Sequence, residues 1–226
     1  MTPLEAKEFR KALFKAGQQP SSWLSSAESL RDAAEIILQG EAKNALSYSQ
    51  AVEKAKEELA ADPTVDASAE IRCEPPNYLP GQLLYGYALE NVLKGLIIAN
   101  DPSVANETKL DDEIAKHELV DLAATAKFDC PQEVDILKAL TQLSVWAGRY
   151  PVARKLKDHT TIAPLSDSHA LLDYGAHHHI VRNVFDRALA ELKSKVPASP
   201  RRFGLIVRVA PDDPPERVTA SLRSSD

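Results

Sequence analysis

From Leu83 to Asn100 the chain is apolar on nearly every side of a helix, and few folds accommodate such a segment. At helical spacing Tyr85, Leu89, Val92, Leu93 and Leu96 share one face, while Ala88, Gly95 and Ala99 line a strip of small residues. The remaining face carries Tyr87, Glu90, Lys94, Ile97 and Ile98. A helix without a polar side belongs at the centre of a bundle. Its small strip admits a neighbouring backbone, and its lone opposite charges, Glu90 and Lys94, stand at the favourable i,i+4 spacing.

The flanking segments supply the partners such a helix needs. Pro3 to Ala16 reads as a short helix, with Thr2 as N-cap, Pro3 at the first position and Gly17 as its stop. Ser21 to Gln39 places Trp23, Ala27, Leu30, Ala34, Ile37 and Leu38 on one face, with Glu28, Arg31, Asp32 and Glu35 outside. A separate, peripheral helix is expected over Ser47 to Ala61. Four prolines between Asp62 and Gly81 mark a connecting loop. Beyond the central helix, helices are expected from Asp111 to Lys127, from Pro131 to Gly148 and from Ser168 to Lys195. The last carries Leu171, Tyr174, His178, Val181, Phe185, Ala188 and Leu192 as a core stripe.

This is an all-α pattern: an up-and-down bundle with four to five core helices, an extra N-terminal helix and an irregular C-terminal tail. The expected divisions are 1–20 for the helical extension, 21–196 for the bundle and 197–226 for the tail. Five of the 15 prolines lie in that tail, where Phe203 to Val209 is a strand-like run in need of a partner edge. With 226 residues, 44% hydrophobic, the chain is long enough for a sizeable core. A net charge of -6 provides no overall electrostatic footprint for nucleic acid or anionic lipid, so any such contact must be local. The two cysteines, Cys73 and Cys130, lack zinc-site spacing, and no leader or membrane-spanning run is evident, which points to a cytoplasmic protein with free thiols and no membrane partner.

Four pieces in order resemble the HEPN superfamily of helical bundles: the helix beginning Trp23-Leu24-Ser25-Ser26-Ala27, the central Tyr87-Ala88-Leu89-Glu90-Asn91-Val92-Leu93-Lys94-Gly95-Leu96, then Lys116-His117-Glu118-Leu119, then Arg149-Tyr150-Pro151. The resemblance covers Ser21 to Val196. It implies a helical bundle, a homodimer, and functions that range from RNA cleavage to noncatalytic binding.

Ribonucleases of that superfamily use an Arg followed four to six residues later by a His, paired across a dimer. Arg154 and His159 have that spacing. Six histidines make about one accidental match expected, and Lys155 follows the arginine where the family has Asn, Asp or His within a helix. Arg149, Arg154, Lys155 and Lys157 beside Tyr150 form the most basic stretch of the acidic chain, suited to phosphate contact and base stacking. Alternatively, Arg149 caps the preceding helix and the lysines are hydrated. His117 either fixes a loop against the bundle or borders a ligand pocket with Glu90 and Lys94.

His177, His178 and His179 fan out by about 100° each on a helix and cannot close on one metal ion. No phosphate-cradling glycine loop or nucleophile elbow is present, so no metal and no cofactor is expected. The leading expectation is a noncatalytic domain that binds a nucleotide, RNA or a partner protein. A metal-independent ribonuclease of toxin or defence type and a scaffold without ligand are the alternatives.

Overall fold

The computed structural model describes residues 2–61, 71, 73–105, 109–147, 172–196, 206–207 and 220–221. It divides the chain into two compact units, Met1–Lys195 and Val196–Asp226. The first is the expected all-α bundle. In the second, Ile206–Val207 (β1) pairs antiparallel with Ala220–Ser221 (β2), so the strand-like run finds its partner edge within the same chain.

Helix α1, Pro3–Gly17, opens with a reciprocal cap: Glu5 N donates to Thr2 Oγ1 at 3.3 Å, and Thr2 N donates to Glu5 Oε2 at 2.6 Å. Its large apolar side chains, Leu4, Phe9, Leu13 and Phe14, are nevertheless exposed. The next helix, α2, is one continuous stretch of 42 residues, Pro20–Ala61, which corrects the expectation of two separate helices, Ser21 to Gln39 and Ser47 to Ala61. A single exposed glycine costs a helix only about 1 kcal/mol relative to alanine, too little to break it when good helix formers flank both sides. Ala27, Ala34 and Leu38 are its fully buried residues.

The central helix is α3, Leu79–Asn100, and it is buried on all sides as its composition requires. Its most extensive neighbour is α2, followed by the helices described below. Close approach rests on glycines: a Cβ on Gly81 would lie 2.5 Å from Leu38 Cγ, and one on Gly86 would lie 3.2 Å from Leu140 O. Gly95, expected in the small strip, faces Leu192 and Trp23 in the same way.

After α3 the chain makes a 3-10 turn, Pro102–Val104, capped by Asp101, whose Oδ1 accepts from Ser103 N at 2.9 Å. Helix α4 is only Leu119–Ala126, not Asp111 to Lys127. Asp111 Oδ1 instead accepts from Glu113 N in a local turn, and Glu118 is extended at the start of α4. Lys127 closes α4 in the left-handed region at φ 58.

Pro131–Glu133 forms a 3-10 turn leading into α5, Val134–Gln142, which continues as a π turn over Leu143–Ala147. There Tyr87 OH donates to Ser144 O at 3.2 Å, an acceptor outside regular α pairing. Helix α6, Tyr174–Lys195, buries His178, Val181, Val184, Phe185, Ala188, Leu189 and Leu192. It begins at Tyr174, not Ser168, because Asp173 caps it: Ala176 N donates to Asp173 Oδ1 at 2.7 Å, and Asp173 N donates to His177 Nδ1 at 3.0 Å.

Among the described residues, no helix is long and apolar enough to cross a membrane.

Candidate functional site

The two charged residues of the central helix form a buried cluster. Glu90 and Lys94 lie one turn apart on α3, and Lys94 Nζ donates to Glu90 Oε1 at 2.6 Å. Their side chains are only 10% and 6% exposed, so this is no surface pair. Burial of both charges is tolerable because each neutralises the other at hydrogen-bond distance.

His117 comes from the extended segment before α4 and closes the cluster. Its Nδ1 lies 3.0 Å from Glu90 Oε1 and 3.2 Å from Oε2. A carboxylate only accepts, which places the imidazole proton on Nδ1 and leaves Nε2 as the second functional atom. The segment is pinned on both sides of the ring: His117 N donates to Glu118 Oε2 at 3.2 Å, and Leu119 N donates to Thr141 Oγ1 of α5 at 3.0 Å. The His117 side chain is 61% exposed, so the buried carboxylate orients an imidazole that faces solvent.

Trp23, from the first turn of α2, borders Lys94 on another side. The ammonium sits 5.9 Å from the centre of the indole ring, within cation–π range. The indole Nε1 is buried and has no hydrogen-bond partner among the described residues. A buried N–H without an acceptor is uncommon, and nothing in the helical pattern around Trp23 signals it.

The structure therefore brings together three of the residues singled out by sequence: Glu90, Lys94 and His117. Arg149, Tyr150, Arg154, Lys155, Lys157 and His159 all lie outside the described residues. The three consecutive histidines separate as helical geometry demands: His177 belongs to the α6 cap, His178 is buried, and His179 is exposed. Among the described residues, no three His, Cys, Asp or Glu side chains converge as a metal site.

A second polar network, missed by sequence reasoning, joins α2, α3 and α6. Glu35 was expected outside, yet its carboxylate is only 17% exposed. It accepts from Tyr85 OH, and from Arg182 Nε at 3.0 Å. Burial pushes the Glu35 carboxyl up, but the Arg182 and Tyr85 hydrogen bonds outweigh it and hold the group below its ordinary value. Tyr85 is pushed well above the usual phenol range, first by burial and then by Glu35.

His178 Nε2 lies 3.7 Å from Glu35 Oε1 without a hydrogen bond, and burial is the main cause that lowers this imidazole's pKa. Its ring stacks on Tyr174 at 4.8 Å, which in turn stacks on Tyr78 at 4.1 Å. A signal for this network was present: a tyrosine on the core face of a central helix needs a partner for its hydroxyl.

Of the two clusters, the Glu35 network ties three helices together, with His178 Nε2 its one buried nitrogen without a hydrogen bond among the described residues. The Glu90 cluster differs in presenting an oriented side chain to solvent. A neutral His117 can accept from a ligand N–H or O–H through Nε2, and a protonated one can donate to a phosphate oxygen. Compared with protein-family models, with curated proteins and with solved structures, the chain matches none.

Proposed function

We propose that this chain is a noncatalytic HEPN-like domain, cytoplasmic and homodimeric, that binds a nucleotide or RNA at the face around His117. The observation that carries the reading is the Glu90–His117 contact, in which a buried carboxylate holds an exposed imidazole by Nδ1. Fixing a surface ring in this way favours recognition, because the entropy of ordering it is spent before a ligand arrives. Two features of the sequence support the same reading: the order of the HEPN-like segments, and the basic stretch of Arg149, Arg154, Lys155 and Lys157 beside Tyr150.

Native mass spectrometry of the purified protein should show a retained nucleotide or oligonucleotide, on a mass of two chains. Incubation with RNA in the presence of a chelator should leave the RNA intact. Cleavage by the wild type that disappears in Arg154→Ala and His159→Ala would instead establish the ribonuclease. Retention of a protein and no nucleic acid would replace the ligand class with a partner protein.

A further inference from the structure

Around Lys94 the hydrogen-bond inventory is out of balance, and the imbalance has a direction. Lys94 carries three N–H donors, and Glu90 accepts one of them; the Trp23 ring offers its face to the charge but no in-plane lone pair. Trp23 adds a buried indole N–H that nothing among the described residues accepts. His117 adds a further donor to the same Glu90 carboxylate, whose Oε1 already serves Lys94. The cluster thus holds five N–H groups, from Lys94, Trp23 and His117, against the oxygens of a single carboxylate.

What this cluster lacks is acceptors. A water molecule supplies two lone pairs but introduces two further donors, so it leaves the excess unchanged. An oxyanion supplies several acceptor oxygens and no donor.

We infer that Lys94 and Trp23 form the phosphate-binding end of the ligand site: the Lys94 ammonium and the Trp23 indole N–H donate to oxygens of one phosphate group of a nucleotide, beside His117. This inference rests on the reading of His117 as the exposed edge of that site. It places the recognition of phosphate on the bundle itself, at the juncture of α2, α3 and the segment before α4.

The indole N–H is its own reporter. Trp146→Phe leaves Trp23 as the single tryptophan, and its Nε1–H signal in a proton–nitrogen correlation spectrum is then followed while inorganic phosphate, adenosine monophosphate or chloride is added at constant ionic strength. Phosphate and the nucleotide should each move that signal downfield and saturably, whereas chloride should not. Trp23→Phe, which keeps the ring over Lys94 and removes the N–H, should weaken calorimetric binding of the nucleotide about tenfold, the equivalent of one charge-assisted hydrogen bond lost. Lys94→Met should weaken it at least as much; Trp23→Phe carries the test if Lys94→Met fails to fold. A stationary indole signal while the protein binds nucleotide or RNA would overturn the phosphate assignment and leave the proposed function standing. Absence of binding to any nucleotide or RNA would overturn both.

Discussion

Tyr85 of α3 donates its hydroxyl to the same Glu35 carboxylate of α2 that receives Arg182 of α6, so one acid holds three helices. His178 packs edge-on against Tyr85 at 5.3 Å, deep enough for burial to disfavour its charged form. Its folded pKa lies below the 6.5 of a free imidazole, chiefly through burial. The unfolded chain therefore takes up the proton more readily, and this contribution is complete above pH 6.5 and is lost as pH falls below it. Glu35, lowered from 4.5, adds a contribution complete above pH 4.5 and lost as pH falls through its folded value. Urea midpoints measured from about pH 7 to about pH 5 should decline, and His178→Phe should flatten that decline. A wild-type midpoint constant across the range would refute the buried neutral imidazole.

The Glu90–Lys94 pair should behave as a buried pair in a double-mutant cycle. Glu90→Ala strands a buried ammonium and is expected to cost about 3–5 kcal/mol in chemical denaturation. Replacing both residues, as Glu90→Leu with Lys94→Met, should restore most of that loss, because apolar side chains of similar volume bring no desolvation penalty. Two single losses that simply add would show that the charges do not depend on each other.

Gly81 allows α3 to lie against α2 at Leu38. Gly81→Ala gains helix propensity but sets a methyl group 2.5 Å from Leu38 Cγ. The net effect should be a destabilisation of about 1–3 kcal/mol, because the obstructing atom is the branch point of a fully buried leucine. Gly40→Ala is the control: nothing lies near its Cβ, and it should stabilise by about 0.5–1 kcal/mol.

Lys127 ends α4 with φ at 58, a conformation that an L-residue adopts at a cost. Lys127→Gly should raise the thermal midpoint, corresponding to about 1 kcal/mol. A lower midpoint would mean that the lysine side chain contributes more than its backbone strain takes away.

Much of this fold is readable from periodicity. The all-round apolar surface of α3 and the stripe of α6 follow from residue spacing alone, because burial acts on side chains at fixed angular steps. Boundaries were harder where the signals are single residues. The segment between Gln39 and Ser47 lacks a periodic apolar face yet stays helical, and Asp173 is a cap that periodicity cannot reveal. The i,i+4 relation of Glu90 and Lys94 was visible, but their burial depends on Trp23 and His117 arriving from distant segments. The unpaired Trp23 Nε1 and the role of Glu35 were legible only in three dimensions, since both depend on which neighbours the other helices bring.

The continuity of α2 has a further consequence for how the protein moves. At about 1.5 Å per residue its 42 residues extend roughly 60 Å, nearly twice the length of the 22-residue α3 packed most extensively against it. Its fully buried positions, Ala27, Ala34 and Leu38, fall in the first half; beyond it Ala55 is buried, while Leu46 and Leu59 are exposed. One unbroken ladder of hydrogen bonds is thus supported unequally along its length. Its amides should exchange with solvent on a graded timescale, slowest around Ala34, so that the helix can fray from its far end while the bundle stays closed.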